Sequence, residues 1–128
     1  MIRSAYLAGR VSHSGSPNEW RELVSAELSF SGILCFLPSL PYRGVTDNDH
    51  HFTVISQIDR AAILACDIII INLEDFGLGA AREVEYGVIH GKKVYGIKFD
   101  PDDRGAFMVD IDIAHSLDEL YRKIRRDK

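Results

Sequence analysis

The stretch from Asp67 to Ile97 constrains the chain most. Asp67-Ile68-Ile69-Ile70-Ile71-Asn72-Leu73 is a nearly continuous β-branched run. Such a run reads as a strand covered on both faces, as strands of parallel sheets are. Gly77-Leu78-Gly79-Ala80-Ala81 follows as a glycine turn, and Arg82 to His90 then has helical spacing. Gly91 stands just past the helix end, Lys92 and Lys93 lie beside its negative pole, and Val94 to Ile97 makes a second strand. A strand–helix–strand unit this short must be a right-handed parallel crossover. Its ligand site is expected beyond the carboxyl end of the first strand, around residues 74 to 83. Glu83 falls in the first turn or two of the helix, where the dipole favours a carboxylate as the anion.

The rest of the chain fits around that unit. Ser4 to Ala8 is expected as the first strand, ending in Gly9-Arg10 and a small, polar loop from Val11 to Ser16. Ser16 is placed as an N-cap and Pro17 at the first helical position, with Trp20, Leu23, Val24 and Leu28 as the buried stripe and Gly32 as the stop. Ile33 to Leu37 is the second strand, and Pro38 to Asp49 a long loop of the kind that serves as a lid or binding loop. A helix from Thr53 to Cys66 is expected to turn Val54, Ile58, Ala61, Ala62 and Ala65 inward. After a turn-rich loop at Asp100 to Gly105, Val109 to Ile113 alternates like a short strand. Ser116 and Glu119 then form a capping box for a final amphipathic helix through Leu120 and Ile124. The order predicts an α/β fold: a doubly wound, mostly parallel five-stranded sheet with helices on both faces, Rossmann- or flavodoxin-like, in one domain over residues 1–128.

Composition closes off several classes. A net charge of −4 argues against a nucleic-acid backbone binder, and the basic cluster Arg122-Lys123-Arg125-Arg126-Lys128 reads as a solvated last helical turn. No apolar stretch approaches the roughly 18 residues of a membrane span, and no signal-peptide pattern opens the chain. Cys35 and Cys66 lie in or beside apolar runs and read as buried free thiols, which places the protein in a reducing, cytoplasmic compartment. No metal is expected, since His50-His51 with Asp47 and Asp49 has no second ligand cluster.

Polar groups gather at the predicted carboxyl ends of the strands: Tyr6 with the Gly9-to-Ser14 loop, Asp59, and Glu83 behind its glycine turn. Gly77-Leu78-Gly79 is not a dinucleotide fingerprint, because the third glycine is missing and the turn follows the third strand. Tyr6-Leu7-Ala8-Gly9, the pair Asp59 and Asp67 with Ala65-Cys66 between them, and Gly79-x3-Glu83 leading to Gly91-Lys92-x-Val94 occur in order on the right elements. In this the chain resembles, over essentially its whole length, the nucleoside 2-deoxyribosyltransferase family, including its 2'-deoxynucleoside 5'-phosphate N-hydrolase branch.

The resemblance implies a mechanism. Glu83 is the nucleophile that attacks the anomeric carbon, Tyr6 the phenol that orients it, and Asp59 the carboxyl that protonates or holds the departing base. Retaining glycosidic cleavage needs such a pair of carboxyl groups whatever the family. Taken alone, Tyr6 reads as a core aromatic, Asp59 as a solvated helix residue and Glu83 as a helix-terminal charge. The resemblance also implies substrate contacts from Gly9, Arg10, Ser12, Ser14, Gly77, Gly79 and Met108, no cofactor, a small-molecule nucleoside or nucleotide as partner, and a homodimer or higher homo-oligomer.

Three positions depart from the family pattern. Gly77 stands where many members carry a base-reading aspartate, which Glu74 or Asp75 would replace. Glu85 stands in place of a glycine, and Ala106 offers no hydroxyl or amide before Phe107-Met108. A loop with Arg10, Ser12, His13 and Ser14 would then hold a 5'-phosphate, with surface polarity as its other reading. A non-catalytic nucleotide-binding or sensor domain, or a hydrolase of a larger nucleotide such as a dinucleotide, would use the same fold.

Overall fold

The computed structural model describes residues 1–9, 19–38, 49–100 and 110–128, with residues 49–54 described by their backbone alone. In chain order its elements are β1 (Ser4–Ala8), α1 (Glu19–Ser29), β2 (Leu34–Phe36), α2 (Asp49–Ala65), β3 (Ile68–Asn72), α3 (Leu78–Ile89), β4 (Lys93–Ile97), β5 (Ile111–Ala114) and α4 (Leu117–Asp127). The five strands form one sheet in the order β2-β1-β3-β4-β5, and every neighbouring pair is parallel. This is the doubly wound order of flavodoxin-like sheets.

Side-chain alternation sorts the strands into two cores. Ala5 and Leu7 of β1, with Ile68 and Ile70 of β3, pack against Val24 and Leu28 of α1 and Leu120 and Ile124 of α4. Tyr6 and Ala8, with Ile69 and Ile71, face the opposite way and meet Ile63 of α2 and Ala80 and Val84 of α3. Helices therefore cover both faces, as the all-apolar β3 run requires. Chain connections leave β1 and β3 in opposite directions, so a crevice opens between their carboxyl ends, where Ala8 pairs with Ile71.

Several boundaries differ from expectation. The helix before β3 starts at Asp49, four residues before Thr53, so His50 and His51 lie on helix and not in a loop. Its inward residues include Asp59 and Ile63, whereas Ile58, Ala61 and Ala65 are exposed. Small apolar residues on several sides of this helix blurred its face. On α1, Leu23 is 61% exposed and Arg21 is buried in its place, in register with Val24 and Leu28. α3 begins at Leu78, so Gly79, Ala80 and Ala81 belong to the helix and only Gly77 stays outside, as an extended N-cap.

Other local signals read true. Gly91, at φ 77°, closes α3 in the left-handed region, with the Lys92 amide donating to the Gly87 carbonyl at 2.9 Å. The Lys92 ammonium donates instead to the Leu64 carbonyl, near the end of α2. Ser116 caps α4 by accepting from the Glu119 amide at 3.0 Å, while Glu119 reaches back to the His115 amide at 3.1 Å. The basic tail is solvated as expected, with Arg122, Arg125, Arg126 and Lys128 exposed, yet three of its cations are paired. Lys123 and Arg126 pair with Asp112 of β5, and Arg125 pairs with Glu27 of α1, at 2.6 to 3.3 Å.

Candidate active site

Three elements deliver three side chains to one place. Parity along β1 sends Tyr6 to the α2–α3 side, where it is fully buried and stacked on Phe36, ring centroids 5.6 Å apart and planes 11° from parallel. On α2, Asp59 lies one turn from Ile55 and from the buried Ile63, and is itself only 8% exposed. On α3, Glu83 adjoins Val84, whose burial against the second core fixes that turn of the helix. Asp59 and Glu83 line one cleft between α2 and α3 of about 390 Å³, with Ile55, Gly79, Tyr86 and Ile89 among its walls.

The electrostatics of Glu83 reverse the helix-dipole expectation. Its carboxyl is pushed up to about 7, first by burial, with the negative Asp59 adding to the rise. The nearby Tyr6 hydroxyl and the positive charge of Arg21 act downwards. Glu83 sits in the second turn of α3, beyond the reach of most of the dipole, so burial prevails. Its Oε2 is a buried atom with no hydrogen-bond partner among the described residues. The arrangement offers a carboxylate that is half-ionised near neutrality, an adjacent phenol, and a second carboxyl group.

Arg21 is the component that periodicity missed. It is fully buried, with Nε donating to the Leu7 carbonyl at 3.1 Å and Nη2 to the Gly9 carbonyl at 2.9 Å. The guanidinium carbon lies 5.0 Å from the centre of the Trp20 ring. Burial lowers its pKa from the usual arginine value, and the charges of Tyr6, Glu83, Asp59 and Asp75 oppose that. Hydropathy cannot reveal an inward arginine. Its spacing of three and seven residues from Val24 and Leu28 was the available signal.

The other expected residues divide. Gly79 lines the cleft, and a Cβ there would meet nothing within 4 Å, so the backbone is open to a ligand. Gly77 serves as the α3 N-cap. Gly9 is tight against α1: a Cβ would come within 3.1 Å of Trp20 and 3.4 Å of Arg21. Glu74 and Asp75 are not among the residues that line the Glu83 cleft. They border a separate cleft with Trp20, Asn72 and Phe99, and Glu74 accepts a hydrogen bond from the Phe99 amide.

Arg82 and Glu85 are exposed as expected, yet both line the Glu83 cleft, as does Arg60, whose guanidinium carbon is 5.5 Å from the centre of the Tyr86 ring. Asp67 stands at the opposite, amino end of the sheet, accepting from the Arg3 amide at 2.8 Å and the Ser4 amide at 3.2 Å. It ties β1 to β3. Both cysteines are free, and burial raises their thiols, Cys35 to about 11. Arg10, Ser12, His13, Ser14 and the Ala106-Phe107-Met108 segment lie outside the described residues. Among the described residues no group of three or more His, Cys, Asp or Glu side chains is placed to hold a metal, and no helix is long and apolar enough to cross a membrane.

No family model matches the sequence, and no curated protein matches it. Among solved structures the chain is similar to the Clostridium botulinum CMP N-glycosidase BcmB. The TM-score is 0.55 at 17% identity, over 95% of this chain and 98% of that one. At that identity the likeness establishes the shared α/β fold.

Proposed function

We propose that the protein cleaves the N-glycosidic bond of a nucleoside or nucleoside 5'-monophosphate through a covalent glycosyl-Glu83 intermediate, passing the sugar to another base or to water. One observation carries the reading: Glu83 and Asp59, from two different helices, line the same cleft. Paired carboxyl groups in a half-enclosed cleft are the equipment that retaining cleavage needs. That a CMP N-glycosidase shares the fold supports the same chemistry. No cofactor enters the proposed steps.

In the first step the ionised Glu83 attacks the anomeric carbon. The C–N bond breaks, and Asp59 supplies or holds a proton for the departing base. In the second step water or an acceptor base releases the sugar and regenerates the carboxylate. The test is direct: incubate the protein with a panel of nucleosides and their monophosphates, with and without an acceptor base, and follow free base by chromatography. Preference for monophosphates would support a phosphate cradle at Arg10, Ser12 and Ser14, and equal turnover of nucleosides would dismiss it. Release of no base from any member would refute the enzymatic reading.

Asp59→Asn slows base expulsion by roughly 10² to 10⁴, more for poor leaving groups than for good ones, because a general acid matters most where the leaving group needs its proton. Rates across a leaving-group series check this, and a uniform loss would assign Asp59 to binding alone.

One observation favours a reversed assignment. A carboxyl held near 7 is the usual mark of the proton donor, which would make Asp59 the nucleophile. Against it, Tyr6 and the positive charge of Arg21 both act to favour the Glu83 anion, and positive charge developing on the sugar does the same.

A homo-oligomer belongs to the same reading, with apolar side chains exposed on α2 and α3 (Leu64, Leu78 and Ile89) in its support. Sedimentation of an active monomer at micromolar concentration would refute it.

A further inference from the structure

The reaction proposed above leaves Arg21 without a part, although its position is costly. Arginine is almost never fully buried unless paired, and a leucine or methionine in register with Val24 and Leu28 would complete the α1 core with no charge to desolvate. Packing alone therefore does not account for it. Its Nε and Nη2 donate to the Leu7 and Gly9 carbonyls, just after Tyr6 at the carboxyl end of β1. A planar guanidinium giving two N–H groups to carbonyls two residues apart fixes that backbone far better than a single donor would. Trp20 and Arg21 approach Gly9 so closely that a side chain there would crowd both.

A Cβ built on Gly9 would lie 3.4 Å from the guanidinium Nη2 and 3.5 Å from the Asn72 Cβ, which puts the guanidinium beside the crevice between β1 and β3. Charged and titratable groups face it from each surrounding element: Tyr6 on β1, Asp59 on α2, Glu83 on α3 and Asp75 after β3. The groups that face Glu83 are Tyr6, Asp59 and Arg21.

We propose that Arg21 is a positioning residue for N-glycosidic cleavage: a buried cation that clamps the carboxyl end of β1 beneath Tyr6 and supplies the positive field that Glu83 works in. The proposal rests on the Glu83 reading for its kinetic consequence, and on the geometry of β1 and α1 for the rest.

The test compares Arg21→Gln with Arg21→Lys. Each keeps a donor for one carbonyl, and they differ in charge. Carbon-13 NMR follows the Glu83 carboxyl directly, with Glu83→Gln identifying its resonance, while the rising limb of kcat/KM against pH is recorded in parallel. In Arg21→Gln the Glu83 midpoint moves up by about one pH unit, and the kinetic limb moves with it. In Arg21→Lys both midpoints stay near those of the wild type, while kcat falls roughly tenfold with KM unchanged, since the two-point clamp is lost.

A Glu83 titration that is the same in all three folded proteins overturns the field, a kcat of Arg21→Lys within twofold of wild type overturns the clamp, and both together leave Arg21 a packing element. Should Arg21→Gln fail to fold, Arg21→Lys decides: a kcat within twofold of wild type overturns the clamp, and a tenfold loss at an unmoved midpoint upholds it. A carboxyl titration that shifts as stated, in a protein that releases no base from any substrate, upholds the field and refutes the enzymatic reading instead.

Discussion

Glu83→Gln lowers N-glycosidic cleavage by roughly 10³-fold or more, without loss of the fold. Amide and carboxylate have nearly the same shape, so the cleft keeps its walls. What disappears is the only charge that the proposed first step requires on the attacking group. Removing a nucleophile from a catalytic unit commonly costs this much, because the remaining members cannot act without it. The variant's circular dichroism should match the wild type, since neighbouring Val84 and Ala80 hold α3 to the sheet. Retention of more than a few per cent of activity in a well-folded Glu83→Gln would remove the nucleophile assignment.

The same residue makes stability depend on pH, and the sign is unusual for a glutamate. Its folded value of about 7 lies above the ordinary 4.5, so the folded protein binds the proton more tightly than the unfolded chain. That contribution is fully present below pH 4.5 and is lost as pH rises through 7. A shift of this size corresponds to up to about 3 kcal/mol. Wild type should therefore lose stability relative to Glu83→Gln between pH 5 and pH 8, with the Tm difference changing by roughly 10 °C. Asp67, Asp112 and Glu119 have lowered pKa values and pull the other way at low pH, but they are common to both proteins and cancel in the comparison. Thermal melts at pH 5, 6, 7 and 8 check the slope, and parallel melting curves for the two proteins would contradict the burial of the Glu83 charge. An active site that costs stability at working pH is the expected compromise.

Much of the fold was legible because its signals are local and redundant. The β-branched run Ile68 to Ile71 announces a buried parallel strand, Gly91 and Gly32 mark helix ends with positive φ, and Ser116 with Glu119 opens α4. Legibility failed where a residue type contradicts its position. Periodicity treats Leu23 as core and Arg21 as surface, whereas α1 turns the arginine inward to reach two carbonyls of β1. On α2 the stripe is interrupted by Asp59, so alanines and Ile58 on another side made a more apolar but false face. Both failures sit beside the candidate site. The motif Asp59 to Asp67 also shows that a shared spacing need not mean a shared place: one aspartate faces the cleft, and the other secures the far end of the sheet. The raised value of Glu83 was out of reach, because it depends on how deeply three separate elements enclose the side chain.

The covalent intermediate is the centre of the proposed mechanism, and acid-quenched mass spectrometry reads it most directly. Wild-type protein is mixed with a cleaved nucleotide, denatured within the first turnover and digested. The expected result is a glycosyl mass increment on the peptide containing Glu83, absent from Glu83→Gln. An increment on the peptide containing Asp59, or first-turnover base release with inversion at the anomeric carbon and no increment on any peptide, would contradict it.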